Sequence, residues 1–252
     1  MQQLVAIDCL AESARRYRNG WAIVAVDVIR ATTTAITAAA AGWRCFPAPT
    51  VEAGLDLARR LENPLLAGES GGDLPAGFEM DNSPAGIAGR TDTQRPLVLV
   101  SSSGTKLIHE AAGCEALYLS CFRNYSVMSG YLANRHPRVA IIGAGSLGEF
   151  REEDQACCAW MAAGLVARGY LPENSRTTGI VSRWSGRPPE ACLCSRSVTF
   201  LKRTGRLQDL EFIFTHVDDL HAVFPVCSGE VQALQEHDWA RRRLELPAPG
   251  HD

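Results

Sequence analysis

The 252-residue chain is 46% hydrophobic and 21% charged, carries a net charge of −3, and mixes its acids and bases along its length. That composition suits one sizeable core and excludes a nucleic-acid footprint or a basic membrane-binding face. The first twenty residues lack the apolar core of a signal peptide, and no run of about 18 apolar residues is present to span a bilayer, so a cytoplasmic protein is expected.

Near the N-terminus, CLAESAR (9–15) has the Cys-x5-Arg spacing of cysteine phosphatases, but Glu12 sits in the supposed phosphate cradle and no glycine lines it. The next segment reads as the strand WAIVAV (21–26), the junction DVIRATT and the alanine-rich helix TAITAAAAG (34–42). VEAGLDLARRLE (51–62) has helical period and PLLAGE (64–69) reads as a short strand. Residues 70–96, rich in Gly, Pro, Asp and Asn, form a long loop of the kind that carries function.

The same grammar of strand, polar loop and helix returns twice, as PLVLV, SSSGT, KLIHEAAG (96–113) and as RVAII, GAGSLGEFREED, QACCAWMAAGLVARG (138–169). Between them lie a strand, EALYLS (115–120), and a helix, NYSVMSGYLANRH (124–136). Residues 170–200 read as helix and loop, and the tail from about 240 as frayed. The pattern predicts a three-layer α/β fold with a mostly parallel or mixed sheet flanked by helices. It is compatible with two α/β subdomains and a site in the cleft between them. A single phosphatase-like domain over 1–240 and a tail over 241–252 are expected.

In an open α/β sheet the loops leaving parallel strands share one edge, so the three polar junctions are expected to converge there. At the first, Asp27 ends the strand and Arg30, Thr32, Thr33 and Thr34 follow. Ile29 stands where a DxD phosphatase would carry its second acid, which favours Asp27 as a metal ligand over a phosphorylated nucleophile. The second junction gathers Ser103, Gly104, Thr105 and Lys106, one of only two lysines in the chain, without P-loop spacing. The third matches GxGxxG at Gly143, Gly145 and Gly148, which admits an NAD-type oxidoreductase. Against that reading, Glu149, Glu152, Glu153 and Asp154 would repel a pyrophosphate; hard carboxylate oxygens suit Mg²⁺ instead. Nine scattered cysteines point to reduced thiols, and neither Cys157/Cys158 nor Cys192/Cys194 has zinc spacing.

Five blocks occur in order: DVIRATTTAITA, AGESGG with GFEMDNSP, SSSGTKLI, GAGSLGEFREEDQACCAWMAAG and LKRTGRLQDLEFIF. Together, over roughly residues 20–226, the sequence resembles the 2-phosphosulfolactate phosphatase family. The resemblance implies an α/β, magnesium-dependent hydrolase, whose named member removes phosphate from 2-phospho-3-sulfolactate on the route to coenzyme M. It matches Asp27, Arg30, Ala31 and Thr32 to the family's first motif, Glu69 to its GER loop, and Asn82 and Ser83 to its GFxxxNSP loop. Gly104, Thr105 and Lys106 match its NGT block, Asn124 its helix-starting asparagine, and Gly145, Glu153 and Asp154 its glycine loop and acidic pair. Ser70 and Ser103 depart from the arginine and asparagine usual there, which leaves the substrate open and admits a phospho-ligand binder without turnover.

The expected site therefore holds Mg²⁺ on Asp27, Glu69, Glu153 and Asp154. Catalysis falls to Asp27, Arg30 and Lys106. Phosphate contacts come from Thr32, Thr33, Asn82, Ser83, Ser103, Gly104, Thr105, Asn124 and Gly145. The expected partner is a small phosphorylated acid, with no nucleic acid and no membrane; a homo-oligomer is left open.

Overall fold

The computed structural model describes residues 2–133 and 135–236; the expected tail over 241–252 lies outside them. Among the described residues eleven strands form one mixed sheet: β1 (Leu4–Cys9), β2 (Ala22–Val26), β3 (Cys45–Ala48), β4 (Leu65–Gly68), β5 (Leu97–Val100), β6 (Ala116–Ser120), β7 (Arg138–Gly143), β8 (Leu171–Pro172), β9 (Ala222–Cys227), β10 (Glu230–Val231) and β11 (Leu234–Gln235). Their order is β4-β5-β3-β10-β9-β6-β2-β7-β1-β8, with β11 on β9. Nine α-helices accompany them among the described residues: α1 (Ala31–Ala40), α2 (Val51–Ala58), α3 (Pro84–Ala88), α4 (Gly104–Glu110), α5 (Tyr125–Leu132), α6 (Glu152–Val166), α7 (Ser175–Trp184), α8 (Arg196–Arg203) and α9 (Leu207–Thr215).

All three strand–loop–helix units form. The central strands are buried on both faces, as in Ala22–Val26, where every residue is buried. Continuous apolar runs of this kind mark the interior of a parallel sheet covered on both sides. Helices α5, α6 and α7 cover one face of β1, β2 and β7 around Met128, Met161 and Ile141. Helix α1 packs on the opposite face, touching β6 and β9 and also β3 and β5, so Ile36 shares one core with Leu97 and Phe224. The outer face of β3 and β5 is closed by α2 around Phe78 and Val98.

The shared-edge expectation needs correction. Strands β2, β6, β7 and β1 run parallel, and so do β3, β4 and β5, but the two groups are joined through three successive antiparallel pairings: β6 with β9, β9 with β10, and β10 with β3. The two parallel halves therefore point in opposite directions within one sheet. Their strand ends still meet, because the sheet wraps around α1. The N-terminus of α4, which follows β5, lies so close to the end of β2 that a Cβ at Gly104 would overlap Asp27 and stand 2.6 Å from Ala31 Cβ.

The long loop over 70–96 also proves more ordered than expected. It carries α3, started by Ser83, whose Oγ accepts from Gly86 N at 2.9 Å with Pro84 in the first turn. Helix α3 packs on α1 and α9, which brings the loop back over the first junction.

Candidate active site

Sheet register sets the site. Val26 lies opposite both Gly143 and Ser120, so Asp27 leaves the sheet level with the glycine loop that follows β7. In the other half Gly68 pairs with Val100, which places Glu69 beside Ser101 and Ser102. Glu69 binds these loops together: its Oε1 accepts from Ser102 N at 2.7 Å, and its Oε2 from Ser102 Oγ at 2.9 Å and Gly72 N at 2.8 Å.

Asp27, Glu153 and Asp154 form a buried acidic centre. Asp154, in the first turn of α6, reaches back to the two neighbouring strand ends. Its Oδ1 accepts from Val28 N at 2.8 Å and its Oδ2 from Gly145 N at 3.2 Å. Asp27 Oδ1 accepts from Ala31 N at 3.2 Å, while Oδ2 receives no hydrogen bond among the described residues. Glu153 is 1% exposed, and its Oε2 is buried without a partner. None of the three acids forms an ion pair among the described residues.

Burial pushes the Asp27 carboxyl up to about 7, with Glu69 and Glu153 adding to the rise. Burial also holds Asp154 well above the usual carboxylate range, reinforced by Asp27 and Glu153. Glu153 is raised by the same desolvation, partly offset by the hydroxyls of Ser197 and Ser195. Removing charged groups from water is costly unless a counter-charge compensates, and here Arg30 only partly offsets the burial of Asp27, so the three acids hold their protons above the usual carboxylate range.

The donor set fits a divalent cation. The free Glu153 and Asp27 oxygens are hard ligands, and their raised protonation is what a bound cation would reverse. Among the described residues no three His, Cys, Asp or Glu side chains are close enough to hold a metal by themselves. Mg²⁺ tolerates that deficit, since it commonly takes one or two carboxylates and completes its shell with water and phosphate oxygens.

The other expected site residues divide sharply. Arg30 is buried and fully counter-charged, its Nη1 donating to Asp209 Oδ2 at 2.6 Å and Asp81 Oδ2 at 2.9 Å. Lys106 leaves the acidic centre and pairs with Glu12 at 2.5 Å on the surface. The buried threonines tie the backbone: Thr32 Oγ1 lies 2.8 Å from both Asp27 O and Ser120 O and donates its one proton between them, and Thr33 Oγ1 donates to Val28 O at 2.7 Å. Thr105 Oγ1 donates to Ser101 O at 2.9 Å, and Asn124 Oδ1 accepts from Ser120 Oγ and Cys121 N. Ser83 Oγ donates to Asp209 Oδ1 at 2.5 Å. Ser103 caps α4 without a side-chain hydrogen bond. Asn82 is buried, and its Oδ1 has no partner.

Asp209 is the residue that motif reading missed. It lies in the first turn of α9, is 3% exposed, and joins Arg30, Ser83 and Ala85 N. Its signals were an acid at a helix start and its place in the LKRTGRLQDLEFIF block, to which no role was attached. The dinucleotide alternative loses its anchor, because the N–H of Gly145, which would meet a pyrophosphate, is taken by Asp154.

Fold and site define an α/β protein of a mixed, mostly parallel sheet, with buried acids and helix starts gathered where strand ends meet. A family model described as 2-phosphosulpholactate phosphatase matches residues 9–229. A "Probable 2-phosphosulfolactate phosphatase" of Pseudothermotoga lettingae is 37% identical over 205 residues, 81% of this chain and 88% of the relative. Another with that description, from Symbiobacterium thermophilum, is 32% identical over 206 residues, 80% of this chain and 81% of the relative. A third, from Deinococcus radiodurans, is 31% identical over 192 residues, 74% and 80% of the two chains. The chain belongs to the 2-phosphosulfolactate phosphatase family.

Proposed function

We infer that the protein hydrolyses a small acidic phosphate monoester with Mg²⁺, as in the conversion of 2-phospho-3-sulfolactate to 3-sulfolactate and phosphate. The observation that carries this reading is the buried, uncompensated acid cluster of Asp27, Glu153 and Asp154 in a chain of this family.

Asp27 and Glu153 each offer an oxygen free of any donor and are the residues that would hold the ion. A divalent ion held by these two acids would supply charge neutralisation for the phosphate and would acidify the attacking water. Asp154 spends both oxygens on backbone N–H groups, so it fixes the glycine loop against the start of the first junction. Glu69 does the same for the loops after β4 and β5. A carboxylate of this cluster would take the proton of the attacking water.

Arg30 acts as a positioning residue, because two carboxylates already absorb its charge. It ties the loop after β2 to α9 and thereby sets where Asp27 points.

Phosphate release from a panel of phosphorylated hydroxy acids, with Mg²⁺ and with chelator, tests the assignment. Release that requires the ion is expected. Binding of these esters without release from any of them would instead make the chain a phospho-ligand binder.

A further inference from the structure

The acidic centre is closed to solvent. Asp27 is 7% exposed, Glu153 1% and Asp154 3%, so a phosphate ester reaches their oxygens only after something that covers them moves. Helices α1 and α6 both begin at the centre, but each is rooted in one of the two large cores, which holds it in place.

The segment from Gly186 to Gly205 is held far less firmly. It contains a short turn over Pro189–Cys192 and helix α8, and it touches every loop that builds the centre. Ser195 and Ser197 turn their hydroxyls to Glu153. Arg196 pairs with Glu149 of the glycine loop after β7. Val198 and Leu201 form a small core with Leu210, and Ile29, two residues after Asp27, packs against it. The Phe200 ring lies on the bare backbone of Gly72, where a Cβ would stand 2.7 Å from its Cζ, and Gly72 N in turn donates to Glu69.

The anchorage of α8 is nevertheless slight. Two of its eight residues are buried, against nine of ten in α1. Segments with so little buried surface open locally at a fraction of the free energy of global unfolding. The flanks of the segment are fixed: before it Trp184 Nε1 donates to Gln155 Oε1 at 2.9 Å, and after it Arg206 Nε donates to Asp81 Oδ2 at 2.7 Å. Between flank and segment stand Gly186 and Gly205, at φ of 70° and 73°, a region that glycine enters without steric cost.

We propose that Gly186–Gly205 is a lid, which lifts α8 off the junction loops to admit ligands to the acidic centre and closes again over them. The proposal rests on the phosphatase reading and deepens it, since such a cover keeps bulk water from a reacting phosphate.

The test is hydrogen exchange of the full chain, read by mass spectrometry in chelator and then with Mg²⁺ and inorganic phosphate. In chelator the amides of α8 should exchange at least about tenfold faster than those of α1 and α6, because they open without global unfolding. Phe200→Ala, which takes the ring off Gly72, should raise α8 exchange by about 5- to 30-fold and leave α1 unchanged. Arg196→Ala breaks only an exposed pair; it should raise α8 exchange by about two- to fivefold and keeps the test open if Phe200→Ala unfolds. With Mg²⁺ and phosphate, α8 exchange should slow by at least about threefold, while α2, on the outer face of β3 and β5, stays the same. Equal exchange in α8 and α1, or α8 exchange indifferent to Mg²⁺ and phosphate, would overturn the lid. Failure of the phosphatase reading is visible separately, as an ester panel that releases no phosphate while α8 still opens and closes on its ligands.

Discussion

Two buried charged clusters lie at either side of the turn after β2, and they are built on opposite rules. Around Arg30, charges cancel: Asp209 and Asp81 take its guanidinium, and Arg206 Nε meets Asp81 at 2.7 Å. Around Asp27, charges of one sign collect, and no ion pair compensates them among the described residues. The first arrangement is self-sufficient and holds α9 to the turn. The second has no ion-pair partner among the described residues, which is why the proposed function assigns the cation to it.

The largest expected effect lies on the paired side. Asp209→Ala leaves Arg30 buried without its shortest contact, and denaturant unfolding should show a loss of about 3–5 kcal/mol, typical of breaking one partner out of a buried pair. The mirror experiment is Asp27→Asn. It removes a buried acid that forms no ion pair among the described residues, so the melting temperature should hold or rise while phosphate release falls by about 100-fold or more. A variant that unfolds yet retains turnover per folded molecule would erase the contrast between the clusters.

Acidity sharpens it further. Asp27 stands at about 7 in the fold against an ordinary 3.8, so between these values the folded chain keeps a proton that the unfolded chain has released. Its contribution to metal-free stability is therefore full below about pH 4 and is lost as pH rises through about 7. Asp154 and Glu153 are shifted in the same direction and steepen the decline. The melting temperature in chelator should drop between pH 5 and pH 8, and Mg²⁺ should restore more of it at pH 8. A flat profile would contradict the uncompensated cluster.

Smaller effects follow from the approach of the two sheet halves. Gly104→Ala places a methyl against Asp27 and Ala31, an overpacking expected to cost about 1–3 kcal/mol by denaturant unfolding. Lys106→Ala breaks only an exposed pair with Glu12, so stability should change by less than about 1 kcal/mol.

What was legible in the sequence follows the same physics. WAIVAV, PLVLV and RVAII announced their strands because each is a self-contained apolar run followed by a polar helix start. Asp27 and the pair Glu153 and Asp154 stood out because acids cluster at those helix starts. The reversal between the sheet halves was not legible, since β10 pairs through only two residues, too few to show a period. The neutralisation of Arg30 was hidden for a different reason. Its partner Asp209 lies 179 positions away, and no local pattern links an arginine in one loop to an acid on a distant helix. Lys106 shows the converse: a rare residue at a helix start invited a role at the phosphate, but its long stem carries the charge to Glu12.

The proposed function makes the uncompensated acids a cation's site. Isothermal titration of Mg²⁺ into the metal-free chain at pH 8 tests it directly, with Asp27→Asn titrated alongside. One binding site per chain, weakened at least about tenfold in the variant, is the predicted result. No heat of binding, or equal affinity in both proteins, would contradict it.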